Sequence, residues 1–429
     1  MVADGSSSPR RAVLSIAAGT GAANLIVVAG SPVIAYLFTP SEFGTFSSIA
    51  AVAFILTPLL SLRLELAVPL AEDEVDSRTL VVVGCACALV VGAFVATALL
   101  TVTLVTGDAL SPWAWTAPLI AAPMAVFQLL NALAIRAQRY SAIAIRNVTV
   151  GLATLVLQVA LGASGLGISG LLLGWGLGQL AGAMSLLRKS GLNDAGARQS
   201  YTLRQGKAIL RRFRHVPTVL APAGAINVMG LQLPVILLAA LYGPDVAGQF
   251  GLTQRVLTAP VALIGLAVAQ VYLGRLAAVR RAGGEPPVRV FRDATRQLAV
   301  IGTGGAAVLL LFSEPLFLWV YGSSWATSGQ MARMLSIALL FQIVASPLSQ
   351  TLVVYGRHKT QLAWDSSRLI IVGSTVYFSS ALDASPVQTV AGLSMATAAT
   401  YAISWYLSWR TLSVAHAQWR QEQPPQQLS

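Results

Sequence analysis

Charged residues are scarce in this sequence, and that scarcity excludes most soluble folds. Asp, Glu, Lys and Arg make up 10% of the 429 residues, hydrophobic residues make up 55%, and the mean hydropathy is +0.71. Soluble globular domains carry about 25% charged residues. Cysteine is nearly missing: Cys85 and Cys87 lie two apart in one apolar run and point to different faces of a helix. That placement argues against a disulfide or a thiolate metal site and suits small buried hydrophobes. The three histidines, His215, His358 and His416, stand at or beside inner helix ends with no carboxylate or cysteine cluster. There is no Walker loop, metal-ligand spacing or nucleophile elbow. The outer loops are too short for an extracytoplasmic catalytic domain, so neither enzyme chemistry nor a cofactor is expected.

What the sequence has instead is apolar runs of about 20 residues, enough to cross a bilayer core of about 30 Å. Twelve are legible, at about 13–38, 45–70, 80–106, 115–136, 143–163, 167–187, 216–241, 250–274, 297–320, 331–355, 363–381 and 388–409. Backbone polar groups in lipid are satisfied within the segment, so each run is expected to be a helix. The first run follows Arg10-Arg11 and is too long, with no cleavage site, for a removable signal peptide.

The net charge of +12 could suggest nucleic acid, but its distribution points elsewhere. With the amino terminus inside, the outer loops 39–44, 107–114, 164–166, 242–249, 321–330 and 382–387 contain no Lys or Arg. That is the positive-inside pattern of a multi-pass protein with both termini cytoplasmic. No nucleic acid partner is expected.

The chain repeats itself. Gly21-Ala22-Ala23-Asn24 returns as Gly224-Ala225-Ile226-Asn227, and the spacing of Pro40, Gly44 and Phe46 returns as Pro244, Gly248 and Phe250. Small-residue runs let helices approach closely, and Pro and Gly at an outer turn end one helix and start the next. Six helices per half make these parallel repeats, which commonly place a substrate site between the halves. The expected architecture is therefore an all-α integral membrane protein with about twelve transmembrane helices. Its organisation is a disordered cytoplasmic segment 1–12, a six-helix lobe 13–187, a basic linker 188–215, a second six-helix lobe 216–409 and a cytoplasmic tail 410–429.

Five arginines interrupt the apolar runs: Arg63, Arg146, Arg255, Arg333 and Arg368. Glu65 and Glu314 are the two carboxylates read as similarly placed. An ionisable residue at membrane depth is costly and marks a pathway, a site or a pair. Arg333 can pair with Glu314 at similar depth, and Asp365 and Arg368 are spaced to meet on one helical face. Arg63 and Glu65, two apart, are expected to point away from each other. Arg255 leads as a substrate residue because it follows Gln254 and has no local acid. Amides are numerous in the runs, among them Asn24, Asn227, Gln254 and Gln270. Pro58, Pro260 and Pro347 are expected to kink their helices.

Two stretches carry a family resemblance: Gly248 through Thr253, Gln254, Arg255 and Pro260 to Tyr272, and Trp325 through Arg333 to Pro347, Gln350 and Gly356-Arg357-His358-Lys359. With Pro40-Ser41-Glu42-Phe43-Gly44 and Arg63-Leu64-Glu65, they resemble the polysaccharide-biosynthesis family of lipid-linked oligosaccharide flippases. That family includes O-antigen flippases, and its superfamily also holds multidrug/toxin extruders and the lipid II flippase. The resemblance implies two lobes forming a V around a cationic cavity, alternating access, and a polyprenyl-pyrophosphate-linked oligosaccharide as cargo in a bacterial inner membrane. Arginines offer planar forks to a pyrophosphate. The residues assigned to substrate are Arg255, Arg333, Arg146, Arg368, Gln254, Asn24 and Asn227, with H⁺ or Na⁺ as the candidate coupling ion and other glycan-assembly proteins as candidate partners. The rival readings are a cation-coupled multidrug extruder, a membrane-embedded glycan polymerase or acyltransferase, and a scaffold for a glycan-assembly complex.

Overall fold

A computed structural model describes residues 9–106, 111–190, 192, 202–282 and 286–422. Within its helices, the side chains at 9–17, 203, 260, 262–264, 266–267, 270, 277–278, 280–282 and 415–422 are outside the described set. Of the expected disorder and the linker, residues 1–8, 191, 193–201 and 423–429 lie outside it, as do the side chains of Pro260, Gln270 and His416. Residues 9–12 and 419–422, expected to be disordered, are helical, and the rest of the linker is described and contains a helix, Leu203–Arg212.

The described secondary structure is helical throughout: α1 (Pro9–Leu37), α2 (Pro40–Leu60), α3 (Glu74–Thr106), α4 (Thr116–Arg136), α5 (Tyr140–Ala163), α6 (Gly167–Leu187), α7 (Leu203–Arg212), α8 (Ala221–Tyr242), α9 (Pro244–Ala282), α10 (Pro287–Tyr321), α11 (Ala326–Met334), α12 (Ser336–Leu348), α13 (Gln350–Val354), α14 (His358–Ala381) and α15 (Pro386–Glu422). Among the described residues, nine helices are long and apolar enough to span a membrane. The other three expected spans fall on α9, α14 and α15. The protein is an all-α integral membrane protein, and each expected span corresponds to helix.

Three boundaries differ from the apolar runs. The second run ends as helix at Leu60, and residues 64–70 form two short 3₁₀ turns. The seventh starts with a π-type turn, Val216–Leu220, containing Pro217, whose missing N–H disrupts the regular ladder. The tenth is split into α11, α12 and α13, with α12 ending one residue after Pro347.

By contacts the chain divides into a unit of residues 1–251 and a unit of residues 252–429, and the division falls within α9. In the first unit, α1 packs on α5 and α5 on α6. Small residues make this possible: a Cβ on Gly19 would lie 2.5 Å from the Ala144 Cα, and one on Gly178 2.1 Å from the Thr154 Oγ1. With little hydrophobic drive between helices in lipid, such close backbone approach supplies the packing. After α2, Leu64, Val68, Leu80, Leu129, Ile143 and Ile209 form one buried cluster that joins the 3₁₀ turns to α3, α4, α5 and α7. The irregular backbone there is satisfied by Arg136, whose Nη1 donates to the carbonyls of Val68 at 3.1 Å and Ala71 at 2.7 Å. Arg212 pins α7 to the start of α3 through Glu72 at 2.7 Å and Asp76 at 2.9 Å.

In the second unit, α10 packs on α11 and α12, and α15 on α12 and α14. Its core gathers Tyr272, Phe291, Leu298, Ile343, Leu348 and Leu412, and the Tyr272 hydroxyl is hydrogen-bonded to that of Thr351.

Candidate functional site

Arg63 sits where α2 gives way to irregular backbone. Leu62 and Arg63 have φ of 52° and 53°, the left-handed region, which costs a non-glycine residue roughly 1–2 kcal/mol. Ser61 steadies the turn by accepting the Arg63 N–H at 3.1 Å, and Leu64 anchors it by complete burial. The turn brings Arg63 and Glu65 together, Nη1 to Oε1 at 3.7 Å. This corrects the expectation that they point apart: that expectation assumed α-helix through residue 70. The Arg63 guanidinium also lies against Gly224, where a Cβ would come 2.5 Å from its Nε. The first glycine of the second Gly-Ala-x-Asn motif thus makes room for an arginine.

Arg146 and Arg368 occupy the fifth helix of their respective repeats, and each reaches the sixth. Arg146 on α5 donates from Nη2 to the Gln179 Oε1 on α6 at 3.2 Å and from Nη1 to the Asn147 Oδ1 at 3.2 Å. Its guanidinium stacks 3.2 Å from the centre of the Phe127 ring on α4. Asn147 extends the chain to the Thr20 Oγ1 on α1 at 3.1 Å. Arg368 on α14 meets the Tyr401 hydroxyl on α15 at 3.5 Å, pairs with Asp365 at 3.4 Å, and lies 4.8 Å from the Trp364 ring. The two cross-helix pairs are each 33 residues apart, although Arg368 starts one turn further along its helix. The expected Asp365–Arg368 pairing is present. Asp365 is itself buried, so the membrane segments hold a third carboxylate besides Glu65 and Glu314.

Arg255 and Arg333 are both placed against α10. The expected pair between Arg333 on α11 and Glu314 is present at 3.0 Å. Arg255 on α9 is half-buried and near enough to Tyr321, at the end of α10, to interact electrostatically. Two hydroxyls fasten this region: Thr253 donates to the Ser328 carbonyl at 2.9 Å and Ser313 to that of Gly329 at 3.0 Å. Within this unit Arg368 belongs to a separate cluster. Asn24 on α1, Asn227 on α8 and Gln254 on α9 are half-buried, and Gln254 presents its backbone carbonyl to the Thr258 hydroxyl at 2.7 Å.

Accessibility separates the arginines. Arg146 is 8% exposed and Arg368 3%, and each is held by partners in its own repeat. The side chains of Arg333 and Arg63 are 48% and 33% exposed, far less enclosed by the protein. An accessible guanidinium paired with a carboxylate can exchange that partner for a phosphate, whose geometry suits the same fork. Gln179, Phe127 and Tyr401 were not singled out in the sequence. The shared 33-residue separation emerges from the contacts themselves, and no sequence signal marks either partner. Among the described residues no group of three His, Cys, Asp or Glu is placed to hold a metal.

Comparison with solved structures gives the fold a wider setting. An inward-facing multidrug resistance MATE family transporter of the MOP superfamily matches with a TM-score of 0.64 at 14% identity, over 96% of this chain and 99% of that one. The outward-facing conformation of such a transporter matches with the same TM-score of 0.64 and 14% identity, over 96% of this chain and 97% of that one. A MOP superfamily transporter from Pyrococcus furiosus, described as having a binding pocket of reverse polarity, matches with a TM-score of 0.61 at 14% identity, over 96% of this chain and 97% of that one. These likenesses give the fold, two six-helix lobes of the MOP transporter type. A search of curated proteins finds no match. The model of the polysaccharide biosynthesis protein family matches residues 33–330, most of the chain, and the protein belongs to that family.

Proposed function

We propose that this membrane transporter is a flippase that moves a polyprenyl-pyrophosphate-linked oligosaccharide from the inner to the outer leaflet of a bacterial inner membrane, for surface polysaccharide such as O-antigen, with both termini cytoplasmic. The observation that carries the reading is the excess of arginine over carboxylate within the membrane segments, in a chain of the polysaccharide biosynthesis family. A cation-accepting extruder needs the opposite imbalance. A pyrophosphate head group carries concentrated negative charge, and arginine binds it through two parallel hydrogen bonds.

In this reading Arg255 and Arg333 hold the pyrophosphate or an acidic sugar on the outer side, and Gln254, Asn24 and Asn227 meet sugar hydroxyls. The burial of Arg146 and Arg368 supports a different task for them, holding the fifth and sixth helices of each repeat together, and Arg63 takes their place as a reachable inner cation. The lipid tail stays in the bilayer while the head group crosses. H⁺ or Na⁺ is the candidate coupling ion, and glycan-assembly enzymes are the candidate partners.

The test is export. Deleting the gene should accumulate lipid-linked glycan on the cytoplasmic side. The double variant Arg255→Ala, Arg333→Ala should abolish glycan export with the protein still present at wild-type level. Normal export by that variant would overturn the site assignment. Drug resistance conferred by the wild-type chain, with no change in glycan export on deletion, would favour the extruder.

A further inference from the structure

A second cationic feature lies in the residue 252–429 unit, apart from the arginine clusters above. A cavity of about 260 Å³ is lined by Arg357, Thr360, Leu407, Arg410, Thr411 and Val414. Arg357 is the residue that precedes α14, and Thr360 is in that helix's first turn. The other four come from the later part of α15. Among the described residues no carboxylate lines the cavity. Two guanidinium groups facing one small space repel each other, and an anion between them removes the repulsion. Both arginines are exposed, so their charges are available to an incoming group.

The cavity's size and its walls narrow the anion. Pockets for drug-sized ligands run to about 300–1,000 Å³, so 260 Å³ matches a head group in size. The Thr411 hydroxyl is already donated to the Leu407 carbonyl at 2.9 Å, which leaves the two arginine forks and the Thr360 hydroxyl as donors. Forks of this kind match phosphate oxygens. Leu407 and Val414 add an apolar wall, which favours an ester with a carbon substituent over a bare ion. Leu407 falls within the last expected span, 388–409, and Val414 beyond it. By the charge rule that end is cytoplasmic, so the cavity lies at the level of the inner-leaflet head groups.

We propose that Arg357, Arg410 and Thr360 form a binding site for a phosphate ester at the cytoplasmic boundary of the membrane, presented either by an anionic phospholipid head group or by a soluble phosphate ester. The site is independent of the transported cargo.

The test uses the purified full-length protein. Bound phosphatidylglycerol is counted by native mass spectrometry, for the wild type and for the variant Arg357→Gln, Arg410→Gln. Hydrogen bonds to charged groups are stronger than neutral ones, so loss of both forks should weaken retention by about tenfold or more. Both side chains are exposed, so the melting temperature in phosphatidylcholine should be unchanged, which separates the effect from misfolding. Arg211→Gln on α7 removes a surface cation elsewhere and should leave retention intact. Retention by the double variant equal to that of the wild type overturns the proposal, and so does an equal loss in Arg211→Gln, which would reduce the effect to net charge. If glycerol 3-phosphate displaces phosphatidylglycerol from the wild type at comparable concentration, the site stands and its natural ligand is a soluble ester. Failure of glycerol 3-phosphate to compete assigns it to the lipid.

Discussion

Gly44 and Gly248 occupy reciprocal positions in one helix crossing. A Cβ added to Gly44 would lie 1.7 Å from the Pro244 carbonyl oxygen, and one added to Gly248 would lie 1.8 Å from that of Pro40. Each glycine therefore packs on the carbonyl of the proline that opens the other's motif. The repeated Pro-x-x-x-Gly-x-Phe sequence, read first as turn chemistry, is also where the first turns of α2 and α9 meet backbone to backbone.

This crossing should tolerate no side chain. Gly44→Ala or Gly248→Ala forces the two backbones apart by more than an ångström, since even tight carbon–oxygen contacts exceed 3.0 Å. Overpacking of this kind costs about 1–3 kcal/mol and should lower the melting temperature. Once one alanine has separated the helices, the second costs less, so the double variant should fall short of additivity. Gly305→Ala on α10 is the control, because nothing lies within 4 Å of its Cβ position. Additive effects in the double variant, or a control as damaging as the variants, would contradict the reciprocal contact.

Arg146 and Arg333 should fail in opposite ways. Arg146 bonds Gln179 and stacks on Phe127 in a buried setting, so Arg146→Gln removes a charged hydrogen-bond donor and should cost about 1.5–3 kcal/mol of stability. Gln179→Leu should do comparable damage, and the two should not add. The Arg333–Glu314 pair is exposed, and such pairs are worth about 0–1 kcal/mol. Arg333→Ala should therefore melt near the wild type and still lose glycan export. A stable, inactive Arg146→Gln would return that residue to the substrate path.

What could be read from the sequence follows from which signals are local. Apolar runs located the helices because lipid leaves the backbone no alternative. Asp365 with Arg368, and Glu314 with Arg333, were legible because helical spacing or matched depth fixes such pairs. Arg63 with Glu65 was not legible. The run around Leu62 is apolar enough to read as continuous helix, and its left-handed turn contains no glycine to announce it. That turn is set by distant residues, the packing of Leu64 and Val68 against α3 and α4. Phe127 under Arg146 was hidden for the same reason: a ring in an apolar helix gives no sign of which cation it will meet.

Arg136 offers a direct test of how that turn is held. Its guanidinium is the described side chain that gathers the carbonyls of Val68, Pro69 and Ala71, where no helix ladder can satisfy them. Arg136→Met keeps the stem and removes the donors, leaving polar backbone unpaired at about 1–3 kcal/mol. The expected result is faster amide hydrogen exchange confined to residues 61–74, measured by mass spectrometry on the full-length protein. Arg136→Lys should restore only part of the protection, because one ammonium has no rigid fork to span several carbonyls. The Arg63–Glu65 pair depends on the same turn, so Arg136→Met should also weaken export more than its effect on melting alone would explain. Unchanged exchange across 61–74 would show that the burial of Leu64 and Val68 holds the turn without Arg136.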